Sequence, residues 1–236
     1  MINDFMLSII IPAKNSETFI KKTVNDILRE FKKEDIELIV VCNDCRDNTY
    51  AECSGFSKTV KVLNFPNKIG KGGAIIKGFL VSKGEIVGYT DSDGAYTPKY
   101  IRRLFDEISK ENRDVVIASR WIGKKFNQVE GNIWRKIYGR MWFFMVKNLI
   151  GLKIKDTQAG LKFFKRYVLT DIIDNIRSTD FSFDLELLLK IKNRGYNIVQ
   201  IPVKEQYVKK STVNLLSILN MSFSLVKIRL RSNFQK

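Results

Sequence analysis

The sequence predicts an α/β fold in which helices flank an open, twisted, mostly parallel sheet. Between residues 7 and 118, short apolar runs alternate with segments of helical periodicity, which is the order that parallel βαβ units produce. A length of 236 residues with 44% hydrophobic content suffices for one large domain. No internal repeat or low-complexity linker divides the chain, so we expect this domain to occupy residues 1–210.

Five strands are predicted from short runs rich in Ile, Val and Leu. The first is ended by Pro12, which lacks the N–H that a central strand needs. The predicted strands are Leu7–Ile11, Ile36–Val41, Val60–Leu63, Ile86–Thr90 and Asp114–Ala118.

Three helices are predicted between these strands from apolar spacing and start signals. Asn15 or Ser16 would cap the first helix. The third would begin at Thr97-Pro98, with Thr97 as the cap and Pro98 in the first helical position. The inward-facing residues would be Ile20, Val24, Ile27, Leu28 and Phe31 in the first helix and Ala74, Ile75, Gly78 and Phe79 in the second, Gly70–Ser82.

Composition narrows the classes of function. A formal net charge of +16 predicts a polyanionic partner, which would be nucleic acid, an anionic membrane surface or a phosphorylated substrate. No histidine occurs, which excludes histidine acid–base catalysis and histidine-ligated metal sites. Cys42, Cys45 and Cys53 are one ligand short of a closed zinc site, and we predict that they are reduced thiols of a cytosolic protein.

Two carboxylates, Asp91 and Asp93, follow the fourth predicted strand. Residues two apart on an extended segment project to the same side, where two carboxylates repel unless a cation joins them. Mg²⁺ or Mn²⁺ commonly bridges such carboxylates to substrate phosphates. An Asp-Gly turn at Asp93-Gly94 is the structural alternative. A calcium loop would need further oxygen ligands and a late Glu, where the sequence has Ala95 and Arg102.

Three predicted strands are followed by polar residues that we expect to line one crevice, because ligands of such sheets bind at the carboxyl ends of the strands. These are Pro12–Asn15, Cys42–Asp44 and Asp91–Asp93. The glycine-rich helix start at Gly70–Gly73 could also receive an anion, although it completes neither the Walker nor the dinucleotide-binding pattern.

The second half of the chain combines aromatic and basic residues, between 133 and 150 and again from 213 to 231. Such residues can belong to the core, but Trp and Tyr interleaved with Arg and Lys are also typical of an interfacial helix. We predict that residues 211–236 form an amphipathic basic helix, and that this helix or the 133–150 segment lies on an anionic membrane. No signal peptide or apolar run of about 18–20 residues is found, so we expect a peripheral protein without a transmembrane helix.

Seven short stretches occur in a specific order and spacing: Ile9–Asn15, Val40–Thr49, Asn67–Gly72, Asp91–Asp93, Ala118–Arg120, Lys155–Gly160 and Phe183–Leu188. Together they resemble the large inverting glycosyltransferase family two, which has the GT-A fold. The last three are similar to its dolichol-phosphate mannosyltransferase branch and the glucosyl relatives. The sequence departs from the family at Asn43, where an acid is usual, at Ala95, where Gln is frequent, and at Lys209-Lys210, which replace an arginine-containing acceptor block.

The resemblance implies a role for each matching position. Asp156 and Gln158 would face the sugar and the reacting centre. Asp93 would be a ligand of Mg²⁺ or Mn²⁺, and Asp91 would contact this metal or the ribose. The nucleotide-sugar would be bound by Pro12, Ala13, Asn15, Asn43, Asp44, Lys71, Gly72, Asp91, Ser92 and Asp93. The acceptor phosphate would be bound by Arg120, Arg135, Lys209 and Lys210.

The implied activity is metal-dependent transfer of a sugar, with inversion, from a GDP-mannose or UDP-glucose type donor to a polyprenyl (dolichyl) phosphate at the cytosolic membrane face. A phosphate monoester has a second pKa of roughly 6, so Asp156 could orient the sugar without acting as a base. Transfer to a lipid or glycan hydroxyl would need Asp156 as a true base. Asp156 could also be a loop acid paired with Lys153 or Lys155. A nucleic-acid-binding protein is the alternative of another class, but it would leave Asp91 and Asp93 without a role.

Overall fold

The computed structural model describes residues 6–56, 59–124, 129, 133–180, 182–206 and 225, without the side chains of Trp134 and Arg135. Within these ranges seven strands form one sheet: β1 Leu7–Ala13, β2 Ile36–Asn43, β3 Val60–Phe65, β4 Ile86–Tyr89, β5 Val115–Ser119, β6 Lys162–Lys165 and β7 Ile198–Pro202. The helices are α1 Ile20–Glu30, α2 Thr49–Cys53, α3 Gly70–Val81, α4 Pro98–Ile108, α5 Ile133–Ile150, α6 Arg166–Ile172 and α7 Phe183–Asn193, with a 3₁₀ turn at Ile173–Asn175.

One strand, β6, runs opposite to the others, and this decides which strand ends lie at each edge of the sheet. The strand order is β3-β2-β1-β4-β6-β5-β7, and β6 is antiparallel to both of its neighbours. The pairs β1–β2, β1–β4, β2–β3 and β5–β7 are parallel. The carboxyl ends of six strands therefore lie at one edge, where the amino end of β6 joins them.

Two hydrophobic layers cover the sheet, one on each face. Side chains alternate along β1, so Ile9 and Ile11 belong to the layer under α1 and α4, while Ile10 belongs to the layer under α3 and α7. In the first layer the rings of Phe31 and Phe105 meet edge to face with centroids 5.7 Å apart. The predicted α/β class, with a mostly parallel sheet between helices, is confirmed.

All five predicted strands and all three predicted helices form, but two details are wrong: β1 continues through Pro12 to Ala13, and the first helix is not capped as predicted. The first helix begins at Ile20, and no side chain caps it. The backbone carbonyl of Ser16 instead accepts the N–H groups of Phe19 and Ile20, each at 2.9 Å. The Ser16 hydroxyl is engaged elsewhere, 2.7 Å from the Ser92 hydroxyl. Pro98 opens the third predicted helix as expected, although the Thr97 side chain makes no capping bond.

The C-terminal prediction lies almost wholly outside the described residues. Of residues 211–236 the structure describes only Leu225, which is helical and buried in the second hydrophobic layer. Lys209 and Lys210 are also outside the described ranges. None of the helices in the described part combines the length and hydropathy needed to span a bilayer. Cys42, Cys45 and Cys53 are all free thiols.

Candidate active site at the carboxyl edge of the sheet

The crevice lies where the strand order reverses, between β1 and β4. The chain adds β2 and β3 on one side of β1 and then places β4 on the other, which is where open α/β sheets bind ligands. Ser92, in the loop after β4, is anchored inward: its hydroxyl meets that of Ser16, and its carbonyl accepts the Thr23 hydroxyl at 3.1 Å. The flanking residues Asp91 and Asp93 remain half-buried at the surface of the crevice.

Asp91 is held from two sides. Its Oδ1 lies 2.7 Å from the Nζ of Lys71, which comes from the start of α3. Its other oxygen, Oδ2, faces Gly160, where an added Cβ would lie only 1.7 Å away. Only glycine therefore fits at position 160 while the carboxylate keeps this position. Burial would lower the pKa of Lys71, but the charges of Asp91 and Asp184 outweigh burial and raise it.

Asp93 is a carboxylate with a raised pKa. Burial, and then the neighbouring charge of Asp91, raise its pKa above the ordinary value, and its Oδ1 accepts the Ala95 N–H at 3.0 Å. A divalent cation would relieve this repulsion. No group of three or more Cys, Asp or Glu side chains in the described ranges is arranged to hold a metal. Mg²⁺ is commonly bound by one or two carboxylates together with substrate phosphates. Two adjacent carboxylates and an incoming diphosphate fit Mg²⁺ or Mn²⁺.

The predicted nucleotide-sugar residues that follow the first two strands lie close to one another, at the ends of β1 and β2. Asn15 and Asp44 both have positive φ, 50° and 52°. The Oδ1 of Asn15 accepts the Arg46 N–H at 2.8 Å, and Asp44 pairs with Lys14 at 2.5 Å. Pro12 is half-buried and Ala13 fully buried within β1. These contacts fix the shape of the two loops. That their residues contact the nucleoside remains a prediction.

Asn43, which replaces the usual acid, has a contact within the protein. Its side chain is buried, and its Oδ1 accepts the Ile69 N–H at 2.8 Å. This bond holds the segment that leads into α3. A nucleoside contact by this side chain would use the side-chain nitrogen or the second lone pair of Oδ1.

The amide of Gly72, one of the residues predicted to bind the nucleotide-sugar, has a partner within the protein, and nucleotide binding by Gly72 stays a prediction. The N–H groups of Gly72 and Gly73 both donate to the Thr179 carbonyl, at 2.8 and 3.3 Å. An added Cβ on Gly72 would lie 2.5 Å from Phe183. These glycines allow the segment before α7 to pack closely against the start of α3, and its Thr179 carbonyl accepts the two amides. In the glycine-rich segment Gly70–Gly73, it is the Lys71 side chain that is directed at the crevice.

Arg120, predicted to bind the acceptor phosphate, is committed to Asp156. Its Nε donates to Oδ2 of Asp156 and its Nη2 donates to Oδ1, each at 2.8 Å. The remaining nitrogen, Nη1, lies 3.4 Å from Glu205 Oε2. Asp156 is 4% exposed. Burial alone would raise its pKa, but the charge and hydrogen bonds of Arg120 hold the pKa below the ordinary value. The alternative partners, Lys153 and Lys155, are excluded by this geometry.

Asp156 begins a turn, residues 156–160, that leads to the carboxyl edge because β6 is antiparallel. The Trp142 indole donates to the Thr157 hydroxyl at 3.0 Å, and the Gly160 N–H donates to the Tyr96 hydroxyl at 3.0 Å. Gln158 Nε2 is buried without a hydrogen-bond partner, the only such side-chain atom in the described part of the chain. A buried amide donor without an acceptor is costly, so this nitrogen is suited to a ligand oxygen.

Sequence analysis missed Lys162, Asp184 and Tyr89, which form a buried cluster beneath the turn. Lys162 Nζ lies 2.6 Å from Asp184 Oδ1 and donates to the Ala159 carbonyl at 2.5 Å. The Tyr89 hydroxyl donates to the same Asp184 oxygen. Burial lowers the pKa of Lys162, and the Asp184 charge offsets only part of this. Two signals in the sequence point to this cluster: a lysine within the apolar run Leu161-Lys162-Phe163-Phe164, and Asp184 within the stretch Phe183–Leu188, to which no role was assigned.

The fold and the site define a glycosyltransferase of the GT-A type, with an Asp-Ser-Asp loop at the switch point of a mostly parallel sheet. The chain belongs to glycosyl transferase family 2, whose model matches residues 8–173.

Arg135, the last predicted phosphate ligand, lies in α5 with its side chain outside the described atoms.

Two curated relatives are dolichyl-phosphate beta-glucosyltransferases. The one from Trichomonas vaginalis is 28% identical over 94% of this chain and 72% of its own length. The one from Saccharomyces cerevisiae is 28% identical over 96% of this chain and 75% of its own. Among solved structures, glucosyl-3-phosphoglycerate synthase from Mycobacterium tuberculosis in complex with Mn²⁺, UDP and phosphoglyceric acid superposes with a TM-score of 0.75 at 19% identity, covering 96% of this chain and 78% of that chain.

We predict that Lys162→Met lowers the free energy of unfolding by about 3–5 kcal/mol, because it leaves Asp184 buried without a cation. Urea denaturation measures this loss. The double variant Lys162→Met/Asp184→Asn should recover most of the stability, since Asn still accepts from Tyr89. Lys77→Met, at an exposed position of α3, is the control and should change little. An equal loss in the single and double variants would contradict the ion-pair explanation.

Proposed function

We propose that the protein transfers glucose, with inversion, from UDP-glucose to a polyprenyl (dolichyl) phosphate at the cytosolic face of a membrane. The observation that carries the acceptor class is the double hydrogen bond between Arg120 and Asp156. A carboxylate with a lowered pKa and two bonds from one guanidinium is a poor proton acceptor. The nucleophile must then arrive already ionised, as a phosphate monoester does near neutral pH, since its second pKa is about 6.

The other acids of the site support the same conclusion. Asp91 is paired with Lys71 and Asp184 with Lys162, and the sequence has no histidine. Asp93 is the carboxylate that we assign, with Asp91, to a divalent cation. Transfer to an uncharged hydroxyl would need a base that none of these groups is placed to supply.

The donor side rests on Asp91, Asp93 and Lys71. Bound Mg²⁺ or Mn²⁺ would supply positive charge for the departing diphosphate. Asp91 and Asp93 would hold the cation, and Lys71 would add a second positive charge for the diphosphate. Gln158 Nε2 would donate to a sugar or diphosphate oxygen, and Asp156 with Arg120 would orient the sugar. Of the two donors considered, UDP-glucose is favoured by the dolichyl-phosphate beta-glucosyltransferase relatives, and GDP-mannose has no comparable support.

The membrane side rests on α5. Four of its apolar residues are spaced at helical intervals on one exposed face: Ile133, Ile137, Met141 and Phe144. Arg140 and Lys147 are exposed on the same helix. An apolar stripe beside cations fits an anionic bilayer surface. Arg135, Lys209 and Lys210 remain our proposed ligands of the acceptor phosphate.

We predict that purified protein with Mn²⁺, a phosphorylated prenol and UDP-glucose forms glucosyl-phosphoprenol, detected by mass spectrometry. Asp93→Asn should lower the rate by at least about a hundredfold, since a charge-stabilising group of the reacting centre is lost. A panel of other UDP- and GDP-sugars tests the donor. Product from a free hydroxyl prenol, but none from the phosphate, would overturn the acceptor class.

The pH dependence separates an orienting from a basic role of Asp156. The pKa of Asp156 is below the ordinary value, so the group is ionised throughout the assay range. The acid limb of kcat/KM should then lie near pH 6 and report the acceptor phosphate. Asp156→Asn should lower kcat by about tenfold or more through lost positioning, with the limb unmoved. Disappearance of the limb in this variant would identify Asp156 as the base.

Membrane docking through α5 predicts weaker retention when its exposed stripe is made acidic. Met141→Glu and Phe144→Glu should each reduce sedimentation with vesicles containing anionic lipid by about fivefold or more, because apolar burial is lost and charge repulsion is added. Leu80→Glu is the matched control, since Leu80 is 59% exposed on α3. Equal losses in the control would show that net charge alone governs retention.

A further inference from the structure

Lys71 occupies the oxygen of Asp91 that a divalent cation would use. The Asp91 carboxylate lies against the backbone at Gly160, where an added Cβ would come within 1.7 Å of Oδ2 and 2.5 Å of Oδ1. Oδ1, the oxygen farther from Gly160, is bonded to Lys71 Nζ at 2.7 Å. The Asp91 side chain is only 29% exposed. A cation that approaches Asp91 from the crevice therefore meets the Lys71 ammonium first.

A bound nucleotide would offer the Lys71 ammonium a new partner, its diphosphate. The amides of Gly72 and Gly73 are already bonded to Thr179, so the start of α3 meets a diphosphate chiefly with the Lys71 side chain. A diphosphate offers this ammonium more negative charge than one carboxylate does. Asp184 lies close enough for its charge to act on Lys71, so the ammonium stays between anions as it shifts.

We propose that Lys71 acts as an exchangeable counter-ion: it blocks Asp91 in the nucleotide-free protein, and the diphosphate of the nucleotide draws it away so that the divalent cation binds. Lys71 thereby makes binding of the cation and of the nucleotide cooperative. By reciprocity, the cation strengthens nucleotide binding by the same factor. The inference rests on the proposed function, because it takes Asp91 and Asp93 as the cation's ligands.

The test is the affinity of the full chain for Mn²⁺ without nucleotide, measured at fixed pH from the electron paramagnetic resonance of free Mn²⁺. Removing the blocking charge in Lys71→Met should tighten Mn²⁺ binding by about tenfold or more, the size expected when a partly buried charge-assisted pair no longer competes. Lys71→Arg keeps a cation and should bind Mn²⁺ as weakly as the unaltered protein. Lys77→Met removes the same charge from an exposed position of the same helix and should also leave the affinity unchanged.

The second arm repeats these titrations with saturating UDP, and with GDP, after correction for Mn²⁺ bound by the nucleotide in solution. The advantage of Lys71→Met should shrink to within about twofold, because the diphosphate has already displaced Lys71 in the unaltered protein. Lys71→Gln, which keeps a polar side chain, should give the same pattern and guards against misfolding of the methionine variant.

The outcomes separate this inference from the proposed function. Equal Mn²⁺ affinity of Lys71→Met and the unaltered protein, without nucleotide, overturns the counter-ion role and leaves the glycosyl transfer proposal standing. An advantage that persists undiminished with UDP and GDP also overturns it, since Lys71 would then not move to the diphosphate. No protein-bound Mn²⁺ in any variant, with or without nucleotide, removes the metal from the proposed function and the inference with it.

Discussion

The buried ion pair between Lys162 and Asp184 is the contact through which the parts of the site are connected. Lys162 stands at the amino end of β6, in the middle of the sheet, and Asp184 lies in the first turn of α7. The same ammonium fixes the Ala159 carbonyl, while the segment before α7 gives the Thr179 carbonyl to the start of α3. A buried charge is costly to leave unpaired, so this ion pair holds the first turn of α7 and the turn at 156–160 together. The start of α3 is bonded to the segment that leads into the same helix, α7.

The distribution of charge at the carboxyl edge decides which chemistry the site can perform. Asp91, Asp156 and Asp184 each take a cation from another element of the chain: Lys71, Arg120 and Lys162. For Asp156, the charge and hydrogen bonds of Arg120 hold the pKa below its ordinary value although burial alone would raise it, which suits orientation and charge stabilisation better than proton abstraction. An acceptor that brings its own negative charge is therefore the better match to this edge than one that must first lose a proton.

The strands and the Asp91–Asp93 loop could be predicted from the sequence because local patterns mark them. Apolar runs mark the five strands that were expected, and the Asp91-Ser92-Asp93 spacing marks the loop after β4. β6 is only four residues long with lysine at both ends, and its place depends on pairing with β4 and β5, which are distant in sequence. The Arg120–Asp156 pair and the capture of the Gly72 amide by Thr179 are likewise long-range contacts. A glycine-rich helix start looks the same in sequence whether its amides meet a phosphate or a carbonyl.

The antiparallel direction of β6 has a consequence for catalysis. It brings both ends of one short turn to the carboxyl edge: Asp156 at its start, bonded to Arg120, and Gly160 at its end, against the Asp91 carboxylate. A displacement with inversion needs the attacking group, the anomeric carbon and the leaving diphosphate to be held in line, and an error of about 1 Å is costly. When one turn sets both the reacting side and the position of Asp91, the two cannot drift independently. Because Lys162 fixes this turn from below, we expect it to affect the geometry of the proposed transfer without touching the substrate.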